Sequence, residues 1–262
     1  MKMKAAQAMV EIMVKEGITT AFGIPGAAIN PVYQFLETAP IQHFTMRHEE
    51  ACVHAADGYQ RAKQQPALAI CSAGPGATNF ITGLYTAFID SMPVFCVVGQ
   101  ANTNQLDQEP FQCVDMVQAA KTVCKKVFRP MRPEELPGML NEAFYLMRAG
   151  RPGPVLIDFP LNVQNAELDF DIDSYTPRAI PVVEPDPAKI KEAVKMLGES
   201  KSPVIIMGGG CVISGCTGQV VDQAELDERM KNFVPKQKEL SGYLKRYAAL
   251  VSSGASGAIL NT

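Results

Sequence analysis

Two adjacent carboxylates, Glu49 and Glu50, stand where an extended segment turns into a helical one. Acidic side chains at a helix N-terminus are often surface residues that complement the helix dipole. A buried carboxyl group at the end of a strand has instead a raised pKa, which suits it to proton transfer. The local sequence leaves both interpretations open, and the second makes this pair the first candidate for chemistry.

A glycine-rich loop, SAGPGATN over 72–79, lies between an apolar strand and a helix. Backbone N–H groups in such a position can face an anion. The loop has neither the Lys-Ser/Thr of a P-loop nor the spacing of a dinucleotide fingerprint, so a simple tight turn stays an alternative. The later run Gly208–Gly210 fails the same fingerprint because residue 213 is Ile.

The histidines and cysteines do not indicate a metal site. The three histidines, His43, His48 and His54, have no metal-ligand spacing with cysteines or carboxylates, so structural roles are favoured. The seven cysteines form no C-x-x-C pair, and five of them lie in apolar segments. Reduced thiols that act as small hydrophobic groups are typical of the cytoplasm, which is the predicted compartment. No metal ligand is predicted in this chain.

The composition excludes several classes of protein. A chain of 262 residues with 47% hydrophobic and 19% charged residues can fold around a core. Its formal net charge of -3 gives no reason to expect nucleic acid as a partner. No apolar run approaches the roughly 18 residues of a membrane span, and Glu11 and Glu16 argue against a signal peptide.

Short apolar strands alternate with amphipathic helices over residues 1–160. Strands are predicted at 20–24, 42–47, 67–71, 93–98 and 154–159, and helices at 4–16, 29–36, 49–61, 77–90 and 133–149. The alternation predicts a three-layer, flavodoxin-like α/β domain with a mainly parallel sheet. Ligands of such a domain bind outside the carboxyl ends of the strands.

The rest of the chain is predicted to continue into an incomplete second α/β domain. Residues 161–187 alternate proline with acidic and small polar residues, which predicts an inter-domain linker. A helix at 188–198 and a buried strand at 203–207 predict the start of a central domain over 188–216. Residues 217–262 show no further buried strand and are interpreted as a divergent tail.

Six segments, taken together and in order, resemble the thiamine-diphosphate enzymes of the acetolactate synthase and glyoxylate carboligase group. They are FGIPGAAINP (22–31), RHEEACVHAADGYQRA (47–62), AICSAGPGATN (69–79), DSMPVFCVVGQ (90–100), FQCVD (111–115) and RAGRPGPVLIDFP (148–160). The resemblance implies a first domain that binds the aminopyrimidine half of thiamine diphosphate. It also raises FAD as a cofactor, because the family's central domain often holds it.

The resemblance places Glu49 at the family's activating glutamate and gives Glu50 no such role. A carboxyl group that is hydrogen-bonded to the pyrimidine ring nitrogen favours the imino tautomer, whose exocyclic nitrogen can take the proton from thiazolium C2. The protein supplies position and protonation state for this chemistry. The resemblance further assigns Ile24, Pro25, Gly26, Pro75 and Asn79 to the pyrimidine pocket, Phe111 and Gln112 to the substrate side, and Arg151 to FAD.

Within the group the segments point two ways. FGIPGAAINP, GLYTAF and FYLMRAGRPGPVLIDFP are most similar to glyoxylate carboligase, which characteristically has an apolar residue at the position of Glu49. SAGPGATN together with Glu49 is most similar to acetolactate synthase. Glu49 is the chemically decisive difference, so the expected function is acetolactate synthase-like: decarboxylation of pyruvate and transfer of the two-carbon unit to a second 2-oxo acid. Glyoxylate carboligase-like chemistry is the alternative.

One departure from the family concerns the diphosphate. The family's last domain holds Mg2+ and the diphosphate with a Gly-Asp-Gly segment, and this sequence contains none. The interpretation is a truncated or split family member that is inactive alone, with Mg2+ brought by another chain, in a homo-oligomer or with a family subunit. Glu49 would then act across an interface, beside a mobile loop at 100–110. The alternative from another class is a non-catalytic module that associates with a full-length subunit.

Overall fold

The computed structural model describes residues 2–181, 184–204, 206 and 208–214. The chain divides into two compact units, Met1–Pro185 and Asp186–Thr262. In the part of the chain that is described, none of the helices has the length and apolar character needed to cross a bilayer.

The first unit is built on a parallel sheet. Its strands are β1 (Lys2–Lys4), β2 (Thr20–Gly23), β3 (Gln42–Thr45), β4 (Leu68–Cys71), β5 (Phe95–Gln100), β6 (Lys126–Phe128), β7 (Val155–Pro160) and β8 (Glu167–Asp169). Six of them form the sheet in the order β3-β2-β4-β5-β7-β6, and every neighbouring pair is parallel. The predicted parallel sheet is thus confirmed.

Helices cover both faces of this sheet. They are α1 (Ala5–Lys15), α2 (Asn30–Leu36), α3 (Glu49–Lys63), α4 (Pro75–Thr78), α5 (Phe80–Ile89), α6 (Met116–Ala119), α7 (Leu136–Arg148) and α8 (Leu161–Asn165), with 3-10 turns at Thr103–Gln105, Pro133–Glu135 and Ile172–Ser174. One core lies between the sheet and α1, α2, α7 and α8, and the other lies between the sheet and α3 and α5. This is the predicted three-layer arrangement.

The pleat of the central strands sends successive side chains into the two cores. In β4, Leu68 and Ile70 belong to one core, whereas Ala69 and Cys71 belong to the other. Because both faces are covered, β4 is apolar along its whole length and does not alternate with polar residues. The same reason accounts for the apolar run of β5, all of which is buried.

The first unit continues past residue 160, where its domain was predicted to end. The segment predicted as a linker forms α8 and then β8, which pairs antiparallel with β1. Leu168 and Tyr175 are buried in the first core, and the Tyr175 hydroxyl donates to Glu16 Oε1 at 2.6 Å. Arg148 pairs with the other oxygen of the same buried carboxylate. Residues 161–175 are therefore part of the packed unit.

The described part of the second unit contains two helices. α9 spans Pro187–Glu199, close to the predicted helix at 188–198, and begins with the Asp186 side chain accepting from Ala188 N. α10 spans Gly209–Ile213. The described residues 203, 204 and 206 are not in a strand, whereas 205 and 207 of the predicted strand lie outside the described residues. The tail at 217–262 also lies outside them, and the central-domain start at 188–216 stays a prediction.

Candidate active site

The loops that follow β2, β3 and β4 meet at the carboxyl edge of the sheet. The backbone joins the first of these loops to β4, since Ile24 N donates to Ile70 O at 3.1 Å. Gly26 lies so close to the loop after β4 that a Cβ atom on it would stand 2.7 Å from Ser72 Oγ. Glycine is required at this crossing, and the edge is a compact group of loops.

Glu49 is the first residue of α3 and is half-buried. Its carboxylate points towards the loop after β4, where Asn79 Nδ2 donates to Glu49 Oε2 at 2.9 Å. A Cβ atom on Gly76 would stand 3.1 Å from Glu49 Oε1, so the loop backbone approaches the other oxygen as well. The glycine-rich loop and the carboxylate together form one site.

Glu50 points elsewhere. Its carboxylate lies 3.4 Å from His54 Nε2, one turn along the same helix, and both side chains are exposed. The backbone N–H of Glu50 donates to His48 Nδ1, which caps the helix at its N-terminus. Of the two adjacent acids, only Glu49 reaches the glycine-rich loop.

The Glu49 carboxylate is held on one side and open on the other. Among the described residues, Oε2 is bound by Asn79 while Oε1 has no hydrogen-bond partner. One turn along α3, burial and then the charge of Glu49 raise the pKa of Cys52 to about 12, so this neighbouring thiol stays neutral. A carboxyl group oriented by an amide, with one oxygen free, fits a hydrogen bond to a ring nitrogen. The residues present therefore fit the pyrimidine half of the expected cofactor.

The structure gathers most of the other candidate residues at this edge. Pro25 is exposed in the loop after β2, Pro75 is exposed at the start of α4, and Ile24 is half-buried beside the second core. The substrate-side candidates border the same loops, because a Cβ atom on Gly74 would stand 2.7 Å from the Cα atom of Gln112. Phe111 beside it is 88% exposed.

Arg151 is the one candidate that the structure does not bring to this group. Its guanidinium donates to Ser91 Oγ at 2.8 Å and to Ile89 O at 2.8 Å, at the end of α5. Asn79 stands at the opposite end of that helix. Arg151 caps a helix here, and its assignment to FAD stays a prediction.

The polar loop at 100–110 is hydrogen-bonded to another part of the chain near its start. Thr103 N donates to Asn162 Oδ1 and Asn162 Nδ2 donates to Thr103 Oγ1, each at 2.9 Å. These bonds join the loop to α8. The predicted mobility of the remaining loop stays a prediction.

Sequence reasoning missed a polar network formed by the last residue of β5, the residue that follows β6 and an aspartate within β7. Arg129 Nε donates to Asp158 Oδ2 at 2.7 Å, and its Nη2 donates to Asp115 Oδ1 at 2.7 Å. Gln100 Nε2 donates to Asp158 Oδ1 at 3.2 Å. The available signal was an aspartate inside the apolar strand VLIDFP, since a buried carboxylate requires partners.

The pKa of Asp158 provides a test of this network. Burial raises this pKa to about 6, and the Arg129 guanidinium acts in the opposite direction. Because the pKa is above the value of about 3.9 that unfolded chains show, the folded state holds the proton more tightly. The stability from this group is fully present below about pH 4 and is lost as the pH rises through about 6.

Arg129→Gln should therefore raise the Asp158 pKa above its wild-type value, as measured by the carbon-13 shift of the carboxyl group across a pH titration. Arg132→Gln is the matched control, because Arg132 pairs with Glu135 on the surface and should leave the Asp158 titration unchanged. If the Asp158 pKa in Arg129→Gln is equal to or below the wild-type value, the Arg129 guanidinium is not the group that stabilises the ionised carboxylate.

No group of three or more His, Cys, Asp or Glu side chains suited to a metal ion occurs within the described ranges. The chemistry that the edge offers is that of one oriented carboxyl group, three close-approaching glycine backbones and an exposed aromatic ring.

Comparison with known proteins identifies the family. Residues 3–119 match the sequence model of the thiamine pyrophosphate enzyme N-terminal TPP binding domain. The chain belongs to the thiamine pyrophosphate enzyme family. The predicted resemblance is thus confirmed. The matched range includes Glu49, Asn79 and Gln112, whereas Arg151 lies beyond it.

Curated relatives in the thiamine pyrophosphate enzyme family carry two kinds of name. A glyoxylate carboligase of Escherichia coli O157:H7 is 44% identical over 230 residues, covering 86% of this chain and 38% of the relative. A probable acetolactate synthase large subunit of Methanocaldococcus jannaschii is 38% identical over 232 residues, covering 85% of this chain and 39% of the relative. The acetolactate synthase large subunit of Haemophilus influenzae is 35% identical over 233 residues, covering 86% of this chain and 40% of the relative. The chain thus spans about two fifths of the length of these relatives.

Proposed function

We propose that the Glu49 edge binds the aminopyrimidine half of thiamine diphosphate in an acetolactate synthase-like enzyme. The whole protein would decarboxylate pyruvate and transfer the two-carbon unit to a second 2-oxo acid. The observation that carries the proposal is the carboxylate held by Asn79 at Oε2 with Oε1 open beside Gly76. The matching TPP binding domain and the relatives named acetolactate synthase support it.

The residues of the edge have different roles in binding the pyrimidine. When bound, thiamine diphosphate supplies the thiazolium carbon and the electron sink that decarboxylation of a 2-oxo acid needs. Glu49 holds a proton at Oε1 for the ring nitrogen, and Asn79 keeps the carboxyl group in that orientation. Gly26 and Gly76 keep the backbone free of side chains where a flat ring must approach, while Ile24, Pro25 and Pro75 offer apolar contact.

A second candidate, glyoxylate carboligase-like chemistry, is favoured by the relative of that name at 44% identity. In this candidate glyoxylate replaces pyruvate as the donor. The two candidates share the pyrimidine edge and differ in the 2-oxo acid that Phe111 and Gln112 face. Parallel assays with the two acids discriminate between them.

The diphosphate and Mg2+ are proposed to be bound by a family domain outside the matched residues, in a homo-oligomer or a complex with a family subunit. The support is that residues 3–119 match an N-terminal TPP binding domain, and that the chain spans about two fifths of the length of its relatives. The third candidate, a non-catalytic module, predicts association with such a subunit without turnover. FAD stays a proposed second cofactor, which the family's central domain would hold.

The direct test is binding of 4-amino-2,5-dimethylpyrimidine to the 262-residue chain, followed by nitrogen-15 NMR. One hydrogen bond and apolar contact give an expected dissociation constant of about 1 mM. Glu49→Ala should weaken binding up to about tenfold, because a hydrogen bond contributes about 0.5–1.5 kcal/mol and about 1.4 kcal/mol corresponds to a factor of ten.

Glu50→Ala is the control, since Glu50 lies on the same helix but faces His54. It should bind the pyrimidine as the wild type does. Unchanged binding by Glu49→Ala, or a loss in Glu50→Ala, would sink the assignment of the edge.

A further inference from the structure

The segment at 110–115 contains a turn that needs support from outside itself. Cys113 N donates to Pro110 O at 3.1 Å, and the third residue of this turn, Gln112, has a φ of 56°. A left-handed φ in a residue with a side chain costs on the order of 1 kcal/mol and persists when the surroundings impose it. Phe111 is 88% exposed, so its ring does not anchor the turn.

One support comes from the glycine-rich loop. Gly74 also has a left-handed φ, 62°, and its missing side chain leaves room for the backbone of Gln112, to which a Cβ atom would come within 2.7 Å. Gly76, two residues on, approaches the Glu49 carboxylate. The turn therefore rests on the same loop that positions the candidate catalytic acid.

The other support comes from the polar network. Gln100 Nε2 donates to the backbone oxygen of Val114 at 2.8 Å, and Arg129 Nη2 donates to Asp115 Oδ1 at 2.7 Å. Both side chains are bound in turn to Asp158, which is 0% exposed in β7. A fully buried carboxylate in a central strand is a rigid point of attachment, because its neighbours are close-packed.

We propose that Arg129, Gln100 and Asp158 are positioning residues, which fix the segment 111–115 so that Gln112 faces the Glu49 site at a set distance. The proposal rests on the proposed function, in which Phe111 and Gln112 form the substrate side. Arg129 acts through the segment and not on the substrate, because its Nε and Nη2 atoms are engaged by carboxylates.

The contact between the network and the segment 111–115 can be removed by substitution without unfolding the chain. The Arg129–Asp158 pair is largely buried, and removal of either partner would leave an unpaired charge. The Asp115 side chain is 54% exposed, so its loss removes the link and leaves the buried pair. A lysine at 129 would keep the charge but lack the planar fork that spans both carboxylates.

The test is hydrogen exchange of the Cys113 amide, which donates to Pro110 O, in the full 262-residue chain. Asp115→Ala should speed exchange at this amide about fivefold, the size expected for a partly exposed ion pair of about 1 kcal/mol. Arg129→Lys should do the same, and Asp115→Glu should restore slow exchange. Asp107→Ala, in the same loop and also exposed, should leave it unchanged, as should all variants for the amides of β5.

A second readout separates positioning from a structural role. With the diphosphate-binding part of a relative added, Asp115→Ala should raise KM for the 2-oxo acid about fivefold, the same ratio as the exchange effect, with kcat within about twofold. Unchanged exchange in Asp115→Ala, or faster exchange with an unchanged KM, would overturn the inference. Both results leave aminopyrimidine binding by the wild-type chain intact, whereas loss of that binding would overturn the proposed function and leave the exchange results unchanged, so the two failures are distinguishable.

Discussion

Glu49→Gln should lower 2-oxo acid turnover by about 10²–10⁴-fold, the range found for removal of a positioned acid or base. Glutamine keeps the shape of the side chain, and its amide oxygen can still accept from Asn79 Nδ2, as Glu49 Oε2 does at 2.9 Å. It cannot hold an exchangeable acidic proton for a ring nitrogen. This one substitution therefore removes the proton transfer and keeps the shape of the side chain and its contact with Asn79.

The measurement is consumption of pyruvate, with glyoxylate in parallel, by the 262-residue chain mixed with the diphosphate-binding part of a relative, Mg2+ and thiamine diphosphate. Glu50→Gln is the matched control and should turn over as the wild type does, because Glu50 pairs with exposed His54. The thermal midpoints of both variants should match the wild type. Turnover by Glu49→Gln at the wild-type rate would show that the carboxyl group does not handle a proton.

The central strands could be predicted because burial on both faces forces a continuous apolar sequence. β4 and β7 were recognised in this way, within one or two residues at each end. β6 was missed, since its three residues lie at the edge of the sheet and begin with a lysine. β1 and β8 were missed for another reason: they pair across more than 160 residues of sequence, and neither is apolar enough to be recognised alone.

The candidate site shows a different limit. Local sequence could place a carboxylate at the start of α3, but the choice between Glu49 and Glu50 depends on which one faces Asn79, thirty residues away. The family resemblance supplied that choice, and the geometry has Glu49 alone reaching the loop. The network around Asp158 depends on contacts between three separate strands, so the sequence could show only that a buried carboxylate needs partners.

The close approach of the chain at Gly74 predicts that a side chain at this position lowers stability. Gly74→Ala should lower the free energy of unfolding by about 3 kcal/mol, the combined effect of a strained backbone and of overpacking. The backbone at Gly74 has φ 62° and ψ -125°, a conformation that side chains disfavour. The added Cβ atom would also meet the backbone of Gln112 at 2.7 Å, and backbone cannot rotate away as a side chain can.

Urea unfolding of the two variants Gly74→Ala and Gly58→Ala measures this effect with an internal control. Gly58 is exposed within α3, and a Cβ atom there meets nothing within 4 Å. Gly58→Ala should raise stability by about 1 kcal/mol through helix propensity, so the two substitutions have opposite signs. If Gly74→Ala unfolds at the wild-type urea concentration, the segment at 111–115 does not rest on the glycine-rich loop. In that case the polar network of Arg129, Gln100 and Asp158 alone would set the distance of Gln112 from Glu49, because the contact at Gly74 is the direct link between the two sides of the site.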